Sequence, residues 1–448
     1  MIKPAIEDAI RGAHDTRMIR VGSGAIAGAA DVFIDCFGAS PAVIVADAAT
    51  YDVAGAAVER ALRNAGVPCR PSYVFAATPA VYADYETVML IVAHLRHSDS
   101  IPVAVGSGTI NDIVKLASHL SERRYMVVAT AASMDGYTAF GASISRDGYK
   151  QTFSCPAPVA VVADTEIVTA APAALTASGY ADLLAKVTAG ADWIVADALG
   201  AEAIYAPAWH LVQDSLRRWT GNPRGIAHAQ PQAVERLTEG LLITGLAMQA
   251  HRNSRPASGA EHQFSHLWEM EHLEQEGVWL SHGFKVGIGT VAVSAMYDQF
   301  LMHDFSGLDV DRLIRRRPTR DQLAARIASQ HTIPILRKKS VEETLAKVPD
   351  DDQLRARLTT LRSSWGDLQG RLRRQLLSPE EIRSRLHQAG CPSDPATIGV
   401  DQDRLHRSYH GARQIRRRYT VLDTAMETGV FDACVDRLFA ADGYWRAA

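Results

Sequence analysis

His262 and His266 stand four residues apart, His282 follows twenty positions after the first of them, and Asp182 lies well upstream. Four residues is one helical turn, so on a helix the first two imidazoles share a face. Both could touch one metal, or one could bind the metal while the other reaches a substrate. A carboxylate and two imidazoles from separate elements give a catalytic divalent ion its ligands and still leave a position open. A single histidine on an apolar face is more often a hydrogen-bonded core residue. A pair at this spacing, with His282-Gly283 at a glycine-lined turn, weakens that reading and leaves both open on these residues alone. Asp182 is ambiguous by itself: Thr176 or Ser178 could cap its helix, placing it in an early turn with Lys186 one turn later as an ordinary surface ion pair.

A second group of residues has the chemistry of nucleotide binding. The run Ile101 to Val105 is apolar, Gly106-Ser107-Gly108-Thr109-Ile110 is a small-residue turn, and a helical pattern follows. Backbone N–H groups at such a turn, backed by a positive helix end, can cradle a pyrophosphate. Asn111 occupies the place of the third glycine of a dinucleotide fingerprint, so a tight strand-to-helix connection explains the spacing as well. Asp47 ends another apolar strand, where a carboxylate commonly holds a ribose and repels a 2′-phosphate, which favours NAD. It would equally serve as a helix cap. Thr130, Ser133 and Asp135 fall just past a third strand end, the region where open α/β sheets take ligands, although Asp135-Gly136 also suits a plain turn.

The elements that must position these residues change character along the chain. Val- and Ala-rich runs at 42–46, 103–105, 126–129 and 159–162 alternate with helical stretches such as 53–65 and 81–95. That alternation predicts an α/β domain with a parallel sheet over residues 1–164. Beyond Asp164 the apolar spacing is three to four, as at 181–198, 233–250 and 286–302, and almost nothing reads as strand. Residues 165–448 are therefore expected to form a helical domain carrying the metal site. The charged stretches 312–320 and 336–377 intersperse both signs, which describes solvated faces of amphipathic helices.

Bulk properties narrow the partners. A chain of 448 residues favours two domains, and 47 Lys plus Arg against 50 Asp plus Glu lacks the basic excess of a nucleic-acid or membrane-surface protein. A small-molecule ligand is expected, with no nucleic acid and no membrane partner. The amino-terminal residues are interrupted by charges, no run reaches membrane-spanning length, and five scattered cysteines form neither a zinc motif nor an even framework. Those features predict a cytoplasmic protein.

Five segments carry a family resemblance: residues 105–112 (VGSGTIND), 133–136 (SMDG), 182–186 (DLLAK), 257–270 (ASGAEHQFSHLWEM) and 282–290 (HGFKVGIGT). In order and spacing they resemble the sn-glycerol-1-phosphate dehydrogenases, especially the bacterial branch, and residues 415–423 (IRRRYTVLD) look like that branch too. The resemblance spans roughly residues 40 to 435. It implies the iron-containing alcohol dehydrogenase and dehydroquinate synthase-like fold, with a nucleotide-binding α/β domain, a helical domain and an active site in the cleft between them. Asp182, His262 and His282 would then be the metal ligands, for zinc or nickel, and His266 a proton relay. Asp47 would meet the adenosine ribose of NAD or NADP, Gly106, Ser107, Gly108, Thr109 and Ile110 the pyrophosphate, and Thr130 with Ser133 the nicotinamide half. Asp135 would hydrogen-bond substrate hydroxyls.

The activity so implied is reversible reduction of dihydroxyacetone phosphate to sn-glycerol 1-phosphate by a homo-oligomer. Lys186, Lys285 and Arg255 are candidates for the substrate phosphate. Two departures stand out: Ala139 replaces a family serine four residues after Asp135, and Ala181 replaces a common glycine before Asp182. Ala139 would accommodate another polyol or sugar-phosphate ketone. Aspartate rather than glutamate at the first ligand position argues against a sugar-phosphate cyclase of the dehydroquinate synthase kind.

Overall fold

Eight strands form between residues 18 and 164: β1 (Met18–Gly22), β2 (Ala42–Asp47), β3 (Tyr73–Phe75), β4 (Ile101–Gly106), β5 (Met126–Ala129), β6 (Ala142–Arg146), β7 (Tyr149–Phe153) and β8 (Ala160–Asp164). In the computed structural model, which describes residues 4–275 and 278–447, six of them build one all-parallel sheet in the order β1-β8-β5-β4-β2-β3. The remaining two pair as an antiparallel hairpin. Alternate strand residues Ile44, Val103, Val105, Val128 and Val162 pack on one face against Phe33, Phe37, Val58 and Leu62. The intervening Val43, Val45, Ala104, Val127 and Val161 are buried too. A sheet covered on both faces explains why these strands read as continuous apolar runs, and each buried Val or Ile contributes roughly 1.5–3 kcal/mol.

Pro102 sits in a central strand, where proline usually breaks a ladder. Ile101 N–H points toward the β2 side, donating to Pro41 O, so the missing proline donor faces β5, whose pairing with β4 starts only at Val103.

Chain contacts divide the protein into two compact units. The first comprises Met1–Leu183, Pro207–Pro256 and Gln388–Gly390; the second comprises Leu184–Ala206, Ala257–His387 and Cys391–Ala448. The position after Asp164 falls inside the first unit, at the end of β8, and the helices Ala206–Trp219 and Pro231–His251 belong to that unit almost entirely. Gln249 ties this return to the sheet: its Oε1 accepts from the Asp15 and Thr16 amides, and its Nε2 donates to Thr16 Oγ1 and Thr138 O.

The second unit is built around the helix His282–Phe300, whose residues are buried without interruption from Lys285 to Tyr297. A helix that is apolar all round belongs in a core. Against it lies Ala260–Met270, in which every residue is buried. One short hairpin, β9 (Glu274–Gln275) with β10 (Val278–Trp279), follows that helix. The charged stretch becomes amphipathic as expected: in Asp351–Gln375 the buried Leu354, Leu358, Leu361, Trp365, Leu368 and Leu372 recur every three or four residues. Among the described residues no helix is long and apolar enough to cross a membrane.

Candidate active site

In the first unit, three consecutive strand ends carry the residues singled out for a nucleotide. β2 and β4 are neighbours whose onward connections run in opposite directions across the sheet, which is where open α/β sheets leave a crevice for ligands. Asp47 ends β2, and its side chain caps the next turn: Oδ1 accepts from Thr50 N at 2.8 Å, and the Asp47 amide donates back to Thr50 Oγ1. The cap reading of Asp47 is therefore correct. Gly106 ends β4 and Gly108 opens the thirteen-residue helix Gly108–Leu120 with Ser107 as its N-cap. Its first amides have no partner within the helix, the chemistry a helix start offers an anion. A Cβ on Gly106 would lie 2.7 Å from Ile110 Cβ, and one on Gly108 would lie 2.7 Å from Met134 Cε. Packing therefore asks for glycine at 106, against the stiff Ile110 side chain, whereas the flexible Met134 could give way at 108. Thr130, one strand over, donates its amide to Gly106 O at 3.1 Å.

The loop after β5 is held by a residue the sequence reading passed over. Lys115 is buried, and its Nζ donates to the carbonyls of Gly136, Ala139 and Gly141 at 2.7, 2.9 and 3.1 Å. Its charge also faces Asp112 at 3.8 Å, whose carboxyl burial pushes up while Lys115 pulls it down. Asn111, in the fingerprint's third-glycine position, contacts Gly136 O and accepts from Tyr125 OH, so it too fixes this loop. Ser133 is buried with its Oγ 3.3 Å from Tyr137 OH. The Asp135 amide donates to Asp182 Oδ2 at 3.1 Å.

Asp182 is not in an early turn. Its helix runs Ala173–Leu184, so Thr176 and Ser178 are interior and Asp182 lies in the last turn, fully buried. Ser178 Oγ donates to Ser133 O instead of capping. The segment read as one helix from 181 breaks at Ala185, the N-cap of Lys186–Ala198, whose first turn is tightened by Thr188 N donating to Ala185 O. Lys186 is buried at the start of that next helix, which removes the surface ion pair.

In the second unit the three imidazoles cluster, with ring centroids 5.4 Å apart for His262 and His282, 6.3 Å for His262 and His266, and 5.8 Å for His266 and His282. His282-Gly283 is the first turn of a helix rather than a loop. Gly289 explains the tolerance for glycine there, because a Cβ would meet Glu261 O at 2.5 Å. Two carboxylates orient the rings. Glu261 Oε1 lies 2.8 Å from His262 Nδ1 and also accepts from Gly259 N, while its Oε2 accepts from Thr188. Glu269 Oε2 lies 3.3 Å from His266 Nδ1, and its Oε1 lies 3.4 Å from His282 Nδ1 and 3.0 Å from Lys285 Nζ. Glu269 sits three residues after His266 and seven after His262, a helical-face spacing that could have marked it.

Burial, then the Arg416 charge, holds the His266 imidazole well below its usual pKa, against the pull of Glu269. Behind the site, Asp192 accepts from Ala260 N, Tyr297 OH and Val421 N. Desolvation and then the Glu261 charge push its carboxyl up to about 7. Among the described residues one group fits a metal ion: Asp182, His262 and His282, each offering a ligand atom, all within 4.8 Å of one another.

Comparison with known proteins points the same way. A family model described as iron-containing alcohol dehydrogenase matches residues 20–172. The NAD(P)+ glycerol-1-phosphate dehydrogenase of Halalkalibacterium halodurans is 37% identical over 256 residues, 57% of this chain and 64% of that protein. The one from Geobacillus thermodenitrificans is 31% identical over 382 residues, 85% of each chain. This chain belongs to the glycerol-1-phosphate dehydrogenase family. Its bacterial members supply these matches, as the five segments suggested. In fold it resembles a probable glycerol dehydrogenase from Sinorhizobium meliloti, with TM-score 0.59 and 16% identity over 94% of this chain and 98% of that one. A glycerol dehydrogenase from Schizosaccharomyces pombe gives 0.57 and 13%, over 94% and 90%. The expected fold class is the one found.

Proposed function

We propose that this chain is a metal-dependent NAD(P)H oxidoreductase that reduces dihydroxyacetone phosphate to sn-glycerol 1-phosphate, reversibly. The observation that carries the proposal is the match to a glycerol-1-phosphate dehydrogenase over 85% of each chain. The Asp182, His262 and His282 group supports it.

The donor set fits a divalent ion. Two imidazoles and one carboxylate make three ligands with room for a fourth, a pattern that suits zinc or nickel. With Glu261 on His262 Nδ1 and Glu269 on His282 Nδ1, ligation falls to Nε2 of each ring, and the carboxylates fix ring orientation and raise basicity. When bound, the divalent ion supplies a Lewis acid and the nicotinamide supplies hydride.

The chain's own residues position and neutralise. The first amides of the helix Gly108–Leu120, at Gly108, Thr109 and Ile110, hold the pyrophosphate, with Gly106 and Ser107 shaping the turn. Asp47 takes the ribose with the oxygen not used for its cap, which favours NAD over NADP. Thr130 and Ser133 contact the nicotinamide half, and Asp135 orients substrate hydroxyls. His266, held neutral by burial with Nδ1 against Glu269, is the proton relay. Lys285, whose charge Glu269 shares, is a candidate for the substrate phosphate beside Lys186 and Arg255. A reducing cytoplasm suits five free thiols, and a homo-oligomer is the assembly we expect.

The test is oxidation of NADH and NADPH by metal-loaded protein with dihydroxyacetone phosphate, followed by stereochemical analysis of the product. Formation of sn-glycerol 1-phosphate is expected. No oxidation by folded, metal-loaded protein would move the activity to another ketone.

A further inference from the structure

The charged segments that read as solvated helix faces enclose something in the second unit. A cavity of about 480 Å³, within the size range of small-molecule sites, opens between the helices Val310–Arg315, Arg320–Gln330 and the chain near Lys347 and Asp423. It contains none of the residues placed in the active site.

Its lining is unbalanced in charge. Seven Arg and Lys side chains face three carboxylates, Asp309, Asp423 and Glu427. All three carboxylates are engaged. Asp423 Oδ1 lies 2.8 Å from Lys347 Nζ and 3.6 Å from Arg413 NH1, so two buried cations share one anion. Glu427 takes Arg357 at 2.8 Å and Tyr419 OH at 2.6 Å, and Asp309 caps the Arg312 amide. At the rim, the exposed side chains of Arg312, Arg316 and Arg326 have no hydrogen bond or ion pair among the described residues. Arg316 is the C-cap of the helix that carries Arg312, its amide donating to Arg312 O, so the two are one turn apart.

The lining also carries an apolar part, the half-buried Leu313, Leu323 and Met426. Solvated arginines alone need no ligand. A surplus cation on a buried floor, in a cavity with an apolar part, is a different arrangement, because burying unmatched charge is costly and an incoming anion relieves it. Guanidinium groups match phosphate oxygens in pairs.

We propose that this cavity is a second binding site, for a small amphiphile carrying a phosphate group. Its phosphate engages the Arg312, Arg316 and Arg326 rim above Lys347 and Arg413, and its apolar part lies on Leu313, Leu323 and Met426.

The probes are octyl phosphate, inorganic phosphate and 1-octanol, titrated calorimetrically into the full-length protein. Octyl phosphate should bind one site per chain, with at least tenfold weaker binding in the Arg312→Glu/Arg316→Glu double variant and a marked loss at high salt. That variant should keep NAD(P)H oxidation. His282→Ala should leave octyl phosphate binding intact, which separates this site from the metal site. Failure of octyl phosphate to bind, or equal binding by the double variant, would overturn the site. Equally tight binding of inorganic phosphate would overturn the amphiphile.

Discussion

At Gly289 two site-bearing helices come close together. A Cβ there would lie 2.5 Å from Glu261 O and 3.2 Å from Glu261 Cα. A carbon–oxygen contact normally relaxes to about 3.3 Å or more, so Gly289→Ala must part the helices by about 0.8 Å at Glu261. Both positions are buried, Gly289 in the middle of its helix and Glu261 in the first turn of the other, and the contacted atom is backbone, which cannot rotate away. Overpacking of this kind costs about 1–3 kcal/mol, or a melting temperature lower by roughly 3–10 °C. The same displacement moves His262, next in sequence to Glu261, away from His282, and a shift near 1 Å costs on the order of 10²-fold in rate. Gly366, in the exposed face of Asp351–Gln375, has nothing within 4 Å of the point where a Cβ would stand, so Gly366→Ala should stabilise by about 0.5–1 kcal/mol. Differential scanning calorimetry, zinc affinity by competition with a chromophoric chelator, and turnover together read both variants. If Gly289→Ala kept wild-type melting temperature and metal affinity, the close helix approach would not be what sets the histidine geometry.

Other substitutions probe the parts separately. Lys115→Met strands the buried Ala139 and Gly141 carbonyls, takes one of its donors from Gly136 O and removes the cation beside Asp112, and should lower stability by about 3–5 kcal/mol in urea unfolding; a loss under 1 kcal/mol would mean the loop is held otherwise. Asp182→Asn and His282→Ala should lose bound metal and turnover together, and an active, metal-free variant would refute the ligand assignment. Thiol chemistry should sort by burial: desolvation raises Cys155 and Cys434 to about 12, leaving almost no thiolate at pH 8. Mass spectrometry after brief alkylation at pH 8 should therefore find Cys36 and Cys69 modified first, and early labelling of Cys155 would contradict its placement.

What the sequence made legible follows from how local each signal is. The sheet's inner strands declared themselves because burial on both faces selects mainly Val, Ala and Ile. β3 did not, being a three-residue edge strand, and neither did β6 and β7, whose half-exposed residues mix polar and apolar types. The histidine pair was visible as one helical turn. The start of its partner helix was hidden by Gly283, Gly287 and Gly289, which look like a loop until the approach of Glu261 gives Gly289 a reason. Asp182 was placed in the wrong turn because Thr176 and Ser178 have the chemistry of caps, and only tertiary packing turns Ser178 toward Ser133. Lys115 and Asp192 were missed for a related reason: their partners lie 21 to 26 residues away for the lysine and 68 away, at Ala260, for the aspartate.

The return of residues 207–256 to the first unit has a consequence for how the chain is made. The sheet is complete once β8 has been synthesised, yet Thr16 and Thr138 still wait for Gln249, which arrives about 85 residues after Asp164. At roughly 5–20 residues per second a ribosome needs several seconds or more for that interval. Through it the nascent sheet carries unanswered amide and carbonyl groups, and a fragment ending at Asp164 would carry them permanently. Such a fragment is a poor choice for isolating nucleotide binding, because it lacks the helix that covers and bonds those groups.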